Sequence, residues 1–498
     1  MWRAKPRTGA ALAIGGLVTL VFYAALAMLA SPDAEKLLGG REGLVRPFRV
    51  ALPLLLLAAW LLVLVRHDAR RAAAAVAIGA GCFLVYAHLT LPASDNGVAA
   101  RGCMEAATAL IRHGSATAAP AATAAPTATA APTEAAAGVR GSAAASSCPA
   151  AEAAAIAPLV WIADGVVTQD LPPSRRRERL ADAVADACAA LAVALLFVAA
   201  RRLGADGRLA ATGALVLGLC TPHLSLHAGG LWSHNVSSLL VLAALVLALP
   251  EGGEPTVAAS AWSGGVAAFA AATRPSALLL AALPLLVVGS RRRFALLPWL
   301  LAFAAVLGLV AWTSHAALGT LLPASPDLHL APFSLPTWAR AAYALLLSPN
   351  RGLLVVSPVF LFSLAGAALG IARSDGWKRR FYVAAALCCG ALLALAAATD
   401  RWWDGAGFGP RSLAELFPLL VLLLLPAVQW LLGAPSWSRI AASGLLVVAL
   451  LASGFTAWRG ATAPGTREWN VKPPASVARA WDWSDVQALR QPGRPRGL

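Results

Sequence analysis

The stretch FYVAAALCCGALLALAAATDRWWDGAGFGPRSLAELFPLLVLLLLPAVQWLLG, residues 381–433, decides the fold class. Two apolar runs, 381–399 and 412–433, flank a polar turn from Asp400 to Arg411. Each run has the roughly 17–25 residues that a helix needs to cross the hydrocarbon of a bilayer. Lipid offers no partner for a backbone N–H or C=O, so such runs satisfy themselves as helices. The turn holds two carboxylates, two guanidiniums, two adjacent indoles and three glycines in twelve positions, more than a connector needs. Glycine allows close backbone approach, Arg forks match phosphate oxygens, and Trp settles at the membrane–water boundary. The turn points to a ligand with an anionic head and a greasy tail. An interfacial anchor loop with a helix cap is the plainer reading.

Similar apolar runs recur along nearly the whole chain. Of its 498 residues 59% are hydrophobic and 13% charged, with a mean hydropathy of +0.69; a soluble domain has about 25% charged. A β-barrel would show short alternating segments instead. The expectation is an all-α polytopic bundle of about thirteen spans: 9–30, 50–65, 72–90, 184–200, 209–227, 236–249, 257–273, 277–290, 295–313, 352–372, 381–399, 412–433 and 440–458. The basic start, Met1 to Thr8, precedes an apolar run too long for a signal-peptide core, which reads as the first span.

With the N-terminus inside, the clusters Arg66–Arg71, Arg201-Arg202, Arg291-Arg292-Arg293 and Lys378-Arg379-Arg380 all face the cytoplasm, as the positive-inside rule asks. The run Arg175-Arg176-Arg177-Glu178-Arg179 and the C-terminal tail disagree. The formal charge of +16 does not indicate nucleic acid, because the basic residues are nearly all Arg and many set orientation in short loops. Residues 91–183 form a large outer loop between spans 3 and 4, and 314–350 a second. Within the first, 115–146 is an Ala/Thr/Pro insert that buries no core and is expected to be disordered. Cys82, Cys188, Cys220, Cys388 and Cys389 lie in spans as small buried residues. Cys103 and Cys148 lie in the outer loop, where an oxidising compartment could join them.

Four constellations fall on the outer face. Asp95, after span 3 in Ala93-Ser94-Asp95-Asn96, could accept a proton from a hydroxyl, although Ser-Asp-Asn is more often a cap or turn. Asp33 and Glu35, after span 1, are competing bases. His223, His227 and His234 crowd the junction of spans 5 and 6, where His234 could hydrogen-bond a phosphate or sugar; interfacial anchoring is the alternative. Arg351, in Ser348-Pro349-Asn350-Arg351-Gly352, joins a fork to the exposed N–H groups of a helix start, an anion site or a snorkelling cap. Arg274 is a weaker case of the same kind. In the opening turn Arg411 starts a helix after Gly409-Pro410, while Asp400 and Asp404 could pair with Arg401 or Arg411 or bind a divalent cation.

The order Thr-Pro-His, Gly-Gly-Leu-Trp-Ser-His-Asn, Ser-Pro-Asn-Arg-Gly-Leu-Leu, then Trp-Trp-Asp-Gly-Ala-Gly-Phe-Gly-Pro-Arg-Ser-Leu resembles bacterial membrane proteins of the GT-C glycosyltransferase superfamily, near the protein mannosyltransferase-like branch. The resemblance covers 72–433, leaving 1–71 as an N-terminal two-span addition and 434–498 as a last span with an outer tail. It implies transfer of a sugar from a polyprenyl-phosphate carrier to a lipid, glycan or protein acceptor at the outer face of the bacterial cytoplasmic membrane. It further implies that Asp95 is the catalytic carboxylate, acting as general base, and that Arg351 and Arg411 contact phosphate; His234, Trp403 and Gly409 are the further donor-binding candidates of these motifs. One departure is Asn96, where the family often has a second acid. A transporter or flippase of lipid-linked sugars, or a non-catalytic envelope scaffold, are the rival expectations.

Overall fold

The structure, a computed structural model, describes residues 69–89, 103–104, 106–108, 150–166, 173–227, 230–249, 253–318, 330–403, 407–433, 436–471 and 476–491. The spans expected at 9–30 and 50–65, the insert at 115–146, and Asp33, Glu35, Asp95, Asp404 and Cys148 lie outside the described residues. Among those described, regular structure is helical, with an isolated antiparallel bridge between Leu330 and Thr399.

We number the helices α1 (Ala69–Leu89), α2 (Ala150–Val166), α3 (Pro173–Leu203), α4 (Gly207–Leu219), α5 (His223–Leu226), α6 (Ser233–Ala248), α7 (Val257–Thr273), α8 (Ala277–Arg291), α9 (Leu296–Leu318), α10 (Leu335–Leu347), α11 (Leu353–Val356), α12 (Leu361–Arg373), α13 (Gly376–Ala397), α14 (Phe417–Leu431), α15 (Trp437–Thr462), α16 (Pro464–Val471) and α17 (Val477–Ala480). A helix meets each apolar segment expected between 72 and 458. Five helical segments among the described residues are long and apolar enough to cross a membrane: Glu178–Leu203, Arg293–Trp312, Gly376–Ala397, Arg411–Leu431 and Trp437–Thr462. The other apolar helices are shorter.

Burial separates a centre from a periphery. The apolar windows of α3 and of Arg411–Leu431 are 83% and 78% buried, whereas those of α9 and α15 are each 17% buried. The two outer helices turn Leu297, Leu301, Trp312, Leu445, Val448 and Leu451 outward, the surface a bilayer would cover. Between helices in lipid there is little hydrophobic drive, so small residues that let backbones approach hold the contacts. Gly366 of α12 lies against the Leu423 carbonyl of α14, and Gly264 of α7 against the Trp299 carbonyl of α9.

Several expectations need correction. The Arg175–Arg179 run is not a separate loop; it forms the opening turns of α3. The segment expected as one span at 209–227 breaks at Thr221-Pro222, because Pro lacks the N–H and restricts the residue before it, and α5 follows as one turn. A second break, at Ser357-Pro358, separates α11 from α12. There the hydroxyl of Thr456 donates to the freed Val356 carbonyl, and the Val359 N–H donates to Ser453 Oγ at 3.1 Å. The second outer loop is not plain loop either. It contains α10, tied down by Trp338 Nε1 donating to the Ala394 carbonyl at 3.0 Å. The C-terminal tail also folds, as α16, α17 and a final turn at Gln487–Leu489. Cys103 is disulfide-bonded, and the described span cysteines are free.

A Cβ at Gly366 would drive into the Leu423 backbone, whereas one at Gly81 meets nothing within 4 Å. Gly366→Ala is therefore expected to cost about 1–3 kcal/mol through overpacking, and Gly81→Ala to be silent. Thermal unfolding in detergent checks this; matching midpoints for the two variants would refute the close crossing.

Candidate functional site

Alternating helix directions carry two sets of connections to opposite ends of the bundle. One end is basic and knitted by short contacts. Arg202 Nη1 donates to the carbonyls of Val246 and Leu249, Arg291 to that of Gly253, and Arg380 to that of Ser290. The other end gathers 220–227, 230–235, 274–276, 348–352, 399–403, 407–415 and the folded tail. A second small core, in which Cys103, Met104 and Ile156 pack with Leu180, Val184, Leu231 and Val236, brings these described parts of the long 91–183 loop to this same end.

At its centre stand three histidines. The break at Pro222 aims α5 inward, so His223, His227 and His234 are all essentially fully buried. The rings of His223 and His227 stack with centroids 4.2 Å apart, and His227 meets His234 edge-on at 4.9 Å. His223 Nε2 contacts the Ala189 carbonyl at 3.1 Å, and His227 Nε2 contacts Ser238 Oγ at 3.3 Å. Asn235 closes the loop between them by donating to the carbonyls of His227 and Gly230 at 2.7 and 2.8 Å. His223 Nδ1, His227 Nδ1 and His234 Nε2 have no protein partner. Trp232 lies parallel to His234 with centroids 6.3 Å apart, and the Arg411 guanidinium sits 5.2 Å from the Trp232 ring centre. Trp232 and Arg411 are half-buried, so they form the mouth of the site above the histidines.

Beneath the mouth lies a charged cluster that the sequence reading missed. Glu415, in the turn that begins with Arg411, is 2% exposed. It accepts from Ser237 Oγ of α6 and, at 2.7 Å, from Ser276 Oγ. Arg274 Nε lies 3.5 Å from Oε1, the oxygen that also accepts from Ser237, and donates to Ser276 Oγ at 3.3 Å. Ser237, which lies three residues after His234 on α6, ties this cluster to the histidines. A buried pair of this kind is costly to break, about 3–5 kcal/mol when one member is removed. The sequence did hold a signal. Glu415 is an isolated carboxylate opening a strongly apolar run, and ionisable groups in such segments mark function.

Arg351 has a different fate from Arg411. It is 2% exposed. Its Nε donates to the Trp403 carbonyl at 2.9 Å. Nη1 donates to the Gly407 and Gly409 carbonyls at 3.2 and 3.3 Å and to Gln487 Oε1 at 3.0 Å, and Nη2 to Asn470 Oδ1 at 2.7 Å. Asn350 binds the same tail: Nδ2 donates to the Arg479 and Asp482 carbonyls, and Oδ1 accepts from the Gln487 N–H at 2.6 Å. Arg351 is thus spent on protein acceptors rather than presented to a ligand. Gly409, at φ +69°, turns its carbonyl toward Arg351 while its N–H donates to Gln487 Oε1. Trp403 packs edge-on against buried Trp402, and Asp400 is exposed. Among the described residues, no three His, Cys, Asp or Glu are grouped to hold a metal ion.

Family models, characterised proteins and solved structures, each compared with this chain, give no match. The site's own chemistry therefore carries the functional argument.

Because Arg351 joins loop 407–409 to the tail, Arg351→Gln is expected to free the tail, raising trypsin cleavage after Arg479 about tenfold or more, the scale of losing charge-assisted hydrogen bonds. Unchanged digestion kinetics would show that the clamp does not hold it.

Proposed function

We propose that the chain is an integral-membrane glycosyltransferase that moves a sugar from a polyprenyl-phosphate donor to an acceptor hydroxyl. One observation carries this reading: the Arg411 guanidinium stands 5.2 Å from the ring centre of half-buried Trp232, which lies parallel to His234, a buried histidine with an unpartnered nitrogen, and the turn that carries Arg411 also carries Glu415, the partner of Arg274. Such a mouth suits a phosphate whose tail remains in lipid. In the proposed reaction the acceptor oxygen attacks the anomeric carbon, giving its proton to Asp95. The bond from that carbon to the phosphate oxygen breaks with inversion, and the electron pair leaves on the phosphate. Arg411 and His234 receive the developing charge, with Arg274 behind them in the part first expected of Arg351; preorganised donors of this kind carry much of a barrier reduction. Asp95 follows α1, whose Tyr86 hydroxyl donates to the Gly218 carbonyl near this end of the bundle, and precedes Cys103, which packs in the core with Leu231. We place the site at the outer face of a bacterial cytoplasmic membrane and the N-terminus inside, because the opposite end of the bundle concentrates Arg and Lys.

A second reading is a transporter of lipid-linked sugars. The buried Glu415–Arg274 pair beside three histidines favours it, since such groups line proton and ion paths in membranes. Transfer from a labelled polyprenyl-phosphate sugar, measured in membranes and in reconstituted vesicles, separates the two. Arg411→Ala is expected to lower transfer by about 10²–10³, and Asp95→Asn by about 10²–10⁴. Full activity in either variant removes that residue from its role, and translocation without transfer decides for the transporter.

A further inference from the structure

The segment 330–347 turns large apolar side chains away from the protein. Phe333 is 78% exposed and Leu335 62%, and Leu330, Tyr343 and Leu347 are exposed as well. Single exposed apolar residues are ordinary, but a group of them marks a face that meets something. The depth of the segment says what that is. α13 opens with Lys378-Arg379-Arg380, whose charges stay at the headgroups of the basic side. From there about twenty residues at roughly 1.5 Å each cross the hydrocarbon, which therefore ends close to the last turn of α13. The segment is fastened at that level. The Ala331 N–H donates to the Ala398 carbonyl at 2.9 Å, Leu330 bridges Thr399, and Trp338 Nε1 donates to the Ala394 carbonyl. Val383, Leu387, Gly390 and Ala391 of α13 are exposed and lie on one helical face. This stripe, on a helix long enough to cross a membrane, leads to Ala394, where Trp338 attaches.

α10 itself has 13 residues, about 20 Å of helix, too short to cross a bilayer. It packs by Ala341, Ala344 and Leu345 and turns Arg340, Tyr343 and Leu347 outward on its other side. Tyr at the boundary and Arg within reach of headgroup phosphates are the residue types of a helix that lies in an interface. We propose that 330–347 forms an interfacial arm: α10 lies on the phospholipid leaflet at the site end of the bundle, and Phe333 and Leu335 enter its acyl boundary. A soluble partner would leave the depth of this face unexplained. The arm also joins the site end mechanically. α10 leads into Ser348 and the Arg351 clamp, and Tyr343 stacks on Trp481 of the tail with centroids 5.4 Å apart. The inference is independent of the reaction assigned to the site.

The test uses the full-length chain, reconstituted alone in vesicles of phosphatidylcholine and phosphatidylglycerol. A benzophenone-bearing phenylalanine replaces Phe333, Tyr343 or Leu387 in turn, and Leu387, exposed within the span of α13, sets the reference. After irradiation, phospholipid adducts at 333 and 343 are expected in yields comparable with 387. Phe333→Glu combined with Leu335→Glu is expected to lower the yield at 343 about fivefold or more, because insertion scales with the apolar area placed in the boundary. Both side chains are exposed, so the double variant is expected to keep its packing and elute as a monodisperse protein. If it does not, the yields at 333 and 343 relative to 387 decide alone. Adducts to a second copy in place of lipid, silence at 333 and 343 while 387 reacts, or an unchanged yield at 343 in a monodisperse double variant each overturn the inference.

Discussion

In a bundle of apolar helices a polar group has no water to turn to, so it is held by other protein groups or carries an energetic penalty. That constraint accounts for much of the irregular structure here. Where Pro358 breaks a helix, Thr456 and Ser453 of α15 take up the freed backbone groups. Where the chain turns between α5 and α6, Asn235 collects two carbonyls. Glu415 enters the interior only with two hydroxyls and a guanidinium waiting for it. The polar groups that satisfy one another cluster at one end, and His223, His227 and His234 at its centre each keep a buried ring nitrogen without a protein partner.

The same rule explains why two similar arginine motifs diverge. Arg351 and Arg411 each follow a proline-containing polar turn and each start a helical segment, so local sequence treats them alike. Arg351 is enclosed by the carbonyls of Trp403, Gly407 and Gly409 on one side and by the folded tail on the other, and every nitrogen of its fork is engaged. Arg411 emerges on the far side of the same loop, against Trp232. The glycines between them serve this division. Gly407 leaves room for Leu226 and the Arg411 side chain, and Gly409 adopts the left-handed conformation that directs its carbonyl to Arg351. Their purpose is internal packing and turn geometry, where the residue pattern alone had suggested approach to a ligand.

Arg274 gains importance by comparison. From its motif it was the weaker of the arginine candidates, yet it is the one joined, through Glu415, to the turn that carries Arg411. What raised it is a carboxylate 141 positions further along the chain. The functional proposal thus keeps the expected chemistry, a phosphate held by guanidiniums under an indole, but exchanges one of its members.

The sequence by itself determined that the protein is helical and apolar and that a helix meets each apolar segment between 72 and 458, because length and hydropathy are local or additive properties. It also showed which turns were too rich in Arg, His and Trp to be mere connectors. Only the tertiary structure decided which of those residues meet. The tail that consumes Arg351 lies more than a hundred residues from it, and Glu415 is joined to Ser237 across 178 positions. A hydrogen bond between distant segments depends on how helices pack, and no single segment carries that information.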